Sequence, residues 1–518
     1  MKQITKRIFS SAMAFALLLS LSACDGTDKP APQDSVKADS NAPVSDQNMK
    51  TQNSGEVTQL TAVYMSTSGV PSEVQLVEDA VNDILRENIS AEVDLMPITW
   101  GSYVQQLQLM LAGSETIDTF VGRGAPFLSA YSNNQLLALD DLAAEYGQGI
   151  LDVIEPVFLE GGKINGKLYG ITTNRDLAVG NGTYILRKDI LEKHNIPYEK
   201  NMTKADIEAI FDQIHEKEPD MLVIAGFPPD TFFYGDSCYD DLGDRFAVLD
   251  NYGSDNLTVV NRYKTESFVN HVKMIYRWHQ KGFISDDIAS ETEPNTSVIR
   301  AGRAFAYSEA YKPGIDTQAT ILCGYPMVSI QTQPANTSAS IVQNIMWCIP
   351  SYAEHPEKSM QYLNEVYTNP EVMNLLSWGI ESKHYVETDD GHITYPEGVT
   401  SETSGYNMAA GWLFGNQYLT KVWEGDDLDV WDQMKDFNNN AIASKAMGFS
   451  FDSTEYATEI AAITNVHNEY VTTLGGGLAD PDEVLPRLYD ELDNAGMQKL
   501  IDGKQAQLDA WAKANDGK

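Results

Sequence analysis

Positive charge is scarce in this sequence. Lys and Arg together number 36 against 74 Asp and Glu, so the net charge is -38. Such an acidic chain argues against nucleic-acid binding, which needs a basic stripe, and against attraction to anionic lipid by charge. The acidity instead favours solubility through self-repulsion.

Cysteine and the common catalytic motifs are scarce as well. After Cys24 only Cys238, Cys323 and Cys348 remain, so at most one disulfide can form, and no CxxC or zinc-type spacing occurs. The sequence has no GxSxG, HExxH, Walker loop or GxGxxG after a strand. The stretch DNYGSDN at 250–256 lacks the closing Glu of an EF-hand loop. We therefore expect no cofactor and no required metal.

No apolar run reaches the roughly 20 residues that span a bilayer. The run at 8–21 follows a short basic stretch, which predicts a signal peptide over residues 1–23. Its end, Leu21-Ser22-Ala23-Cys24, matches a bacterial lipobox, in which the cysteine takes a diacylglyceryl group; a chance cysteine after an ordinary secretory signal is the alternative. Residues 24–56 are poor in large apolar side chains and predict a lipidated Cys24 followed by a disordered tether. The chain is thus expected outside the cytoplasm, anchored to the outer face of the cell membrane.

The body of the chain begins with alternating strand and helix patterns. A β-rich stretch at 58–64, a helical period at 73–88 and a second strand at 91–97 predict a β-α-β unit with a parallel sheet. Ligands of such sheets lie at the carboxyl ends of the strands. Further on, GGKINGKLYGITT at 161–173 predicts a β-hairpin with Asn165-Gly166 as its turn.

The order of several motifs resembles a known family. NGKLYGI at 165–171, KGFI at 281–284 and GRAFAYSE at 302–309 follow the lipobox, tether and β-α-β start. This order resembles the extracellular solute-binding proteins of ABC importers, in the large group that includes maltose-binding protein. NPEV at 369–372, WGIESKHY at 378–385 and GFSFD at 448–452 resemble a longer lipoprotein subgroup with a characteristic C-terminal extension.

The resemblance implies an α/β, two-lobed periplasmic-binding-protein-like (type II) fold with a ligand cleft between the lobes. It implies chain crossings near 172–176, 329–337 and 391–400. The expected lobe 1 is 57–173 plus 335–395, lobe 2 is 174–330 plus 400–480, and a C-terminal helical segment covers 481–518. The implied function is capture of a small solute, foremost an oligosaccharide, by a monomer that delivers it to membrane permeases and is not an enzyme.

A sugar site needs aromatic rings for C–H faces and planar polar groups for paired hydroxyls, and the chain has 8 Trp and 25 Tyr. Trp100 follows a predicted strand, and Arg123 lies in a glycine-flanked turn. For each Trp, packing in a core is the competing interpretation, and Trp278, Trp431 and Trp511 are interpreted as structural. For Arg123 the alternative is a solvated turn. For Arg175 and Asp176, at the first crossing, it is a structural salt bridge. The candidate ligand-binding residues are Trp100, Arg123, Arg175, Asp176, Tyr234, Tyr307, Glu309, Trp347, Trp378 and Trp412.

Three other functions stay open at this point. A peptide could replace the oligosaccharide as the imported ligand. A secreted glycoside hydrolase would need two carboxylates about 5 to 10 Å apart, and the acidic residues are numerous but form no motif. A surface adhesin would lack a closable cleft.

Overall fold

The computed structural model describes residues 57–67, 69–226 and 238–515. The predicted signal peptide, Cys24 and the tether lie outside these residues. The described strands are β1 (Thr58–Ser66), β2 (Ala91–Thr99), β3 (Thr119–Gly122), β4 (Lys163–Ile164), β5 (Lys167–Leu168), β6 (Ile171–Thr172), β7 (Gly180–Arg187), β8 (Leu222–Ala225), β9 (Tyr239–Asp240), β10 (Ala247–Asp250), β11 (Val259–Asn261), β12 (Ala304–Tyr311), β13 (Met327–Gln331), β14 (Asn336–Thr337), β15 (Met346–Cys348), β16 (Val386–Glu387), β17 (Ile393–Thr394) and β18 (Ile442–Ala443).

The described α-helices connect and cover these strands. They are α1 (Val74–Ile89), α2 (Trp100–Gly113), α3 (Ala125–Ser132), α4 (Asp140–Tyr146), α5 (Gln148–Val153), α6 (Pro156–Gly161), α7 (Lys188–Lys193), α8 (Lys204–Lys217), α9 (Glu266–Gln280), α10 (Asn295–Arg300), α11 (Ile315–Cys323), α12 (Ala339–Val342), α13 (Pro356–Thr368), α14 (Pro370–Trp378), α15 (Val430–Asn439), α16 (Ala457–Gly475), α17 (Pro481–Asn494) and α18 (Met497–Asn515).

The first sheet contains the predicted β-α-β unit. Its strand order is β2-β1-β3-β15-β6. β1 pairs in parallel with β2 and β3, while β15 runs antiparallel to β3. Residues 62–66 of β1 are almost fully buried, because α1 and α2 pack against this sheet and a covered strand needs a continuous apolar run.

The predicted hairpin forms between β4 and β5. Asn165 and Gly166 both have positive φ, 52° and 78°, the conformation that a two-residue turn of this kind requires. The turn brings the Asn165 side chain close to Tyr131, whose hydroxyl accepts a hydrogen bond from Asn165 Nδ2 at 3.1 Å.

The second sheet is mixed, with strand order β13-β7-β12-β8. β7 is antiparallel to both β12 and β13, and β8 is parallel to β12. α8 begins at a capping box, in which Thr203 and Asp206 each accept from the other's backbone N–H. Trp278 of α9 is 1% exposed in this core, as predicted.

An ion-pair cluster joins α8 to α9. Glu208 Oε1 accepts hydrogen bonds from Arg277 Nε at 3.0 Å and from Lys281 Nζ at 2.9 Å. The hydrogen bonds from Arg277 and then Lys281 lower the pKa of Glu208 to about 2. Two cations thus stabilise the charged carboxylate in the folded state.

The C-terminal helices form a third core with the small sheet β11-β10-β9. Lys504 of α18 is fully buried, and its Nζ lies 2.7 Å from Asp244 Oδ2 and donates to the Ala247 carbonyl at 2.8 Å. Burial lowers the pKa of Lys504. Because a buried charge is costly unless paired, this contact fixes α18 against residues 244–247.

The chain crosses between the first two sheets close to two of the predicted places. It passes from β6 to β7 through 173–179 and returns from β13 to β15 through 332–345. The third crossing, expected at 391–400, was placed too early. The β16–β17 hairpin turns the chain back there, and residues 406–414 still pack in the first core.

Backbone hydrogen bonds join the crossing segments side by side. The Asn174 N–H donates to the Gly415 carbonyl at 2.7 Å, and the Gln417 N–H donates to the Asn174 carbonyl at 3.0 Å. Val179 and Asn336 exchange two bonds of 2.9 and 3.0 Å, and β14 pairs in parallel with β18. We call these paired segments the strap; they are 174–179, 336–337, 415–418 and 442–443.

Among the described residues, no helix is long and apolar enough to cross a membrane.

Candidate functional site

One edge of the first sheet collects the ends of several strands. β1, β2 and β3 are parallel, so their carboxyl ends meet there, and β15 begins at the same edge because it is antiparallel to β3. Residues that follow β2 and β3 therefore converge with those that precede β15. They are Trp100, Arg123 and Asn344.

Three of the predicted residues meet at this edge. The Arg123 guanidinium carbon lies 4.4 Å from the centroid of the Trp100 ring. The rings of Trp100 and Trp412 are 6.4 Å apart between centroids and meet edge to face at 68°. Trp100 is 40% exposed, and Arg123 and Trp412 are half-buried. We call this group the Trp100–Arg123–Trp412 cluster.

The turn after β3 orients Arg123. Its Nε donates to Asn344 Oδ1 at 3.2 Å, and the next residue, Gly124, donates its N–H to the Gln343 carbonyl at 2.8 Å. Gly124 has φ 47° and ψ -122°, which only glycine adopts without strain. A Cβ at Gly124 or at Gly101 would meet no other atom within 4 Å. The space beside the cluster is therefore open to a ligand.

The cluster combines two kinds of binding group. Two indole rings offer apolar faces, and the guanidinium offers several N–H donors in one plane. Burial lowers the pKa of Arg123, but an arginine stays charged at neutral pH. The arrangement suits a ligand that has both an apolar face and closely spaced oxygen atoms.

Arg175 and Asp176 lie on the strap and pair with each other. Arg175 Nη1 donates to Asp176 Oδ1 at 2.8 Å and to the Asp176 carbonyl at 2.7 Å. The Arg175 carbonyl accepts from Tyr418 Oη at 2.7 Å and from Asn438 Nδ2 at 2.6 Å. The structure thus shows the salt bridge that was the competing interpretation, and a ligand contact of these residues stays a prediction.

The residue before the strap contacts the backbone of the cluster. Thr173 Oγ1 donates to the Trp412 carbonyl at 3.0 Å, immediately before the strap begins. The segment that presents the Trp412 ring is therefore attached to the connection between the two sheets.

Trp378 belongs to a separate aromatic group. Its ring centroid lies 5.2 Å from that of Trp423, which in turn lies 4.7 Å from Tyr395. Among the described residues, Trp378 Nε1 is buried without a hydrogen-bond partner. Its contact with a ligand stays a prediction.

Two predicted ligand-binding residues lie in hydrophobic cores, and we correct the prediction for both. Trp347, in the middle of β15, is 1% exposed, and its Nε1 donates to the Leu413 carbonyl at 3.0 Å. Tyr307 of β12 is 3% exposed, and burial raises its pKa. Neither ring has a face open to a ligand, because each lies inside a strand and not beyond its end.

The remaining two predictions concern lobe 2. Glu309 is exposed on β12, where its Oε1 accepts from the Ala310 N–H at 3.1 Å, and the contacts of the described residues do not join it to the cluster. Tyr234 lies outside the described residues.

Sequence reasoning missed Asn344 and the partners of Trp378. Asn344 lies two residues before β15, and an antiparallel return strand begins at the edge where its neighbour ends. Its place at this edge was therefore predictable. Trp423 and Tyr395 come from irregular segments that carry no periodic pattern.

The C-terminal part of the chain matches a family model. Residues 445–513 match a domain of unknown function, DUF3502. This range contains α16, α17 and most of α18, the helices of the third core.

A relative and several solved structures resemble nearly the whole chain. A carbohydrate ABC transporter substrate-binding protein of Streptococcus pneumoniae serotype 4 (strain ATCC BAA-334 / TIGR4) is 25% identical over 446 residues, which are 83% of this chain and 87% of the relative. The crystal structure of the N-glycan transport solute-binding protein NgtS of Streptococcus pneumoniae is 22% identical, has a TM-score of 0.78 and covers 89% of this chain and 100% of its own. The structure of NgtS in complex with Man5GlcNAc, also 22% identical, has a TM-score of 0.65 and covers 88% of this chain and 99% of its own. The predicted α/β solute-binding fold and the resemblance to ABC importer binding proteins are confirmed.

Proposed function

We propose that this chain is the substrate-binding component of an ABC importer and that it captures an oligosaccharide between its lobes. The observation that carries the proposal is the Trp100–Arg123–Trp412 cluster at the carboxyl edge of the first sheet. Sugar rings have an apolar C–H face and hydroxyl groups at their edge. Two partly exposed indoles and a fixed guanidinium provide complementary surfaces for both.

The relatives support the sugar class. The Streptococcus pneumoniae relative is named for carbohydrate transport. NgtS is described in complex with Man1GlcNAc and with Man5GlcNAc. A mannose-containing glycan is therefore a reasonable first ligand to test.

Closure of the lobes would follow ligand binding. The strap connects the two sheets and touches the segment of Trp412, so a ligand on the cluster lies next to the connection. A ligand that contacts both lobes binds the closed state more tightly and so shifts the population toward it. The permeases of the importer would then recognise the closed form.

We propose that Cys24 is lipidated, that the chain acts as a monomer on the outer face of the membrane, and that it does not alter its ligand chemically. Metabolic labelling with palmitate should mark the protein, and Cys24→Ser should abolish the label. Labelling that survives in Cys24→Ser would refute the assignment of the anchor.

The central experiment measures binding of Man1GlcNAc and Man5GlcNAc by calorimetry and thermal unfolding. A true ligand at about 100 times its Kd should stabilise the fold by about 2.7 kcal/mol. Trp412→Ala and Trp100→Ala should each weaken binding about tenfold. Leu109→Ala is the matched control, because Leu109 lies on the same helix as Trp100 and is 65% exposed.

Three outcomes would contradict the proposal. Binding that is unchanged in both tryptophan variants would remove the cluster from the site. Cleavage of the glycan during incubation would favour a hydrolase. Stabilisation by short peptides and by no glycan would favour a peptide importer.

A further inference from the structure

A groove lies between the first core and the C-terminal extension. Its volume is about 510 Å³, within the range of small-molecule sites. An adjoining cavity of about 740 Å³ shares Tyr131, Asn165 and Gln507 with it. We call the two together the C-terminal groove.

Aromatic rings stand on both walls of this groove. Tyr131, at the end of α3, is half-buried and packs edge to face on Tyr169 with centroids 4.8 Å apart. Trp511 of α18 is also half-buried and packs edge to face on Phe449 at 6.0 Å. Each ring is thus held by a second ring, and all four rings line the C-terminal groove.

Polar groups lie between the rings. The exposed side-chain amide of Asn165 projects from the hairpin turn and donates to Tyr131 Oη at 3.1 Å. Gln507 exchanges hydrogen bonds of 2.9 and 3.0 Å with the backbone of Asp452, whose side chain is exposed. The groove therefore repeats the combination of ring faces and planar polar groups seen at the Trp100–Arg123–Trp412 cluster.

The groove and the cluster share structural elements. α3 begins directly after the turn of Arg123, and Tyr131 lies roughly 9 Å along the helix from its first residue. Two consecutive residues, Gln343 and Asn344, connect the groove to the cluster. Asn344 accepts from Arg123, while Gln343 Nε2 donates to Ser450 Oγ at 3.1 Å in the groove wall.

We propose that the C-terminal groove is a second carbohydrate subsite, which holds the distal sugars of a glycan whose other end occupies the cluster. This proposal rests on the proposed function. It assigns a ligand contact to the extension that matches the domain of unknown function. It also sets a preference for glycans of several sugars, because one ligand must cover both the cluster and the rings of Tyr131 and Trp511.

The test compares Man1GlcNAc with Man5GlcNAc on single variants of the full chain. Tyr131→Ala, Trp511→Ala and Asn165→Gly should each weaken Man5GlcNAc binding about tenfold and leave Man1GlcNAc within about twofold. Asn165→Gly keeps the positive φ of the turn and removes only the amide. Trp511→Phe retains a ring and should recover part of the lost affinity.

The controls separate a subsite from a loosened extension. Leu478→Ala alters a 37% exposed residue of the same extension away from the groove lining and should leave both affinities unchanged. Equal loss for the two glycans in the groove variants, or no loss for either, would overturn the subsite. If neither glycan binds the unaltered protein, both the proposed binding of mannose-containing glycans and the subsite are refuted. If both glycans bind and the groove variants do not change their affinities, only the subsite is refuted.

Discussion

Aromatic residues of the two central sheets differ in their position along the strand and in their exposure. On the first sheet, Trp100 comes one residue after β2 ends and is 40% exposed at the edge. On the second sheet, Tyr307 is the fourth residue of an eight-residue strand and is 3% exposed. A ring just beyond a strand end can meet a ligand, whereas a ring inside the strand packs into the core. The first sheet therefore presents aromatic rings at its carboxyl edge, whereas Tyr307 of the second sheet belongs to a core.

Trp347→Ala should give the largest effect, since Trp347 is buried inside a strand of the first sheet. Removing this ring leaves a cavity and an unpaired Leu413 carbonyl, which should cost about 3 to 5 kcal/mol of unfolding free energy. Trp100→Ala should cost less than about 1 kcal/mol. Urea unfolding measures the loss of unfolding free energy in both variants, and the loss in Trp347→Phe should lie between the two values. Equal losses would show that strand position does not separate core from site.

Glu208→Gln tests the stabilising role of the second lobe. The pKa of Glu208 is lowered from 4.5 to about 2 in the fold, so its charge stabilises the protein above the ordinary pKa and this contribution is lost as pH falls toward 2. The variant should lose about 1 kcal/mol of unfolding free energy at neutral pH. The difference from the unaltered protein should shrink below pH 4.5, and glycan affinity at neutral pH should not change. A pH-independent difference would mean that the ion pairs are not its cause.

The contact between Arg123 and Trp100 should appear as a coupling in ligand binding. Each of Arg123→Met and Trp100→Ala removes one side of the stack, so the double variant should lose less affinity than the sum of the two. We expect a coupling of about 0.5 to 1 kcal/mol, measured by calorimetry on the four proteins. Strict additivity would show that the two groups act on the ligand independently.

Tyr307→Phe should give the smallest effect. It removes one buried hydroxyl from the core between β12 and α11, so the free energy of unfolding should change by about 1 kcal/mol or less, and ligand affinity should stay the same. A clear loss of affinity measured by calorimetry would contradict the assignment of Tyr307 to a core, because it would place this ring in the cleft.

Local patterns predicted much of the fold. The helix predicted at 73–88 follows from hydrophobic periodicity and the turn at Asn165-Gly166 from glycine chemistry, and both are confirmed. The crossing at 391–400 was wrong, because the resemblance placed it and nothing local distinguishes a chain that leaves a lobe from a hairpin that turns back.

The candidate site was predictable only where a strand end marked it. Trp100 and Arg123 follow β2 and β3 directly, and this position predicted their convergence. Trp347 and Tyr307 were misplaced because the bounds of short strands decide whether a ring is inside or beyond them. Trp412 comes from an irregular segment, so its place beside Trp100 depends on tertiary packing that the sequence does not display.

The strap has a consequence for how the molecule can move. Its segments are bonded side by side between Asn174 and Gly415, Val179 and Asn336, and β14 and β18. A ribbon of this kind resists torsion, because twisting shears its cross-links, but it flexes easily across its width. We therefore expect the lobes to rotate about a single hinge axis, so that each closure brings the same surfaces into the same alignment.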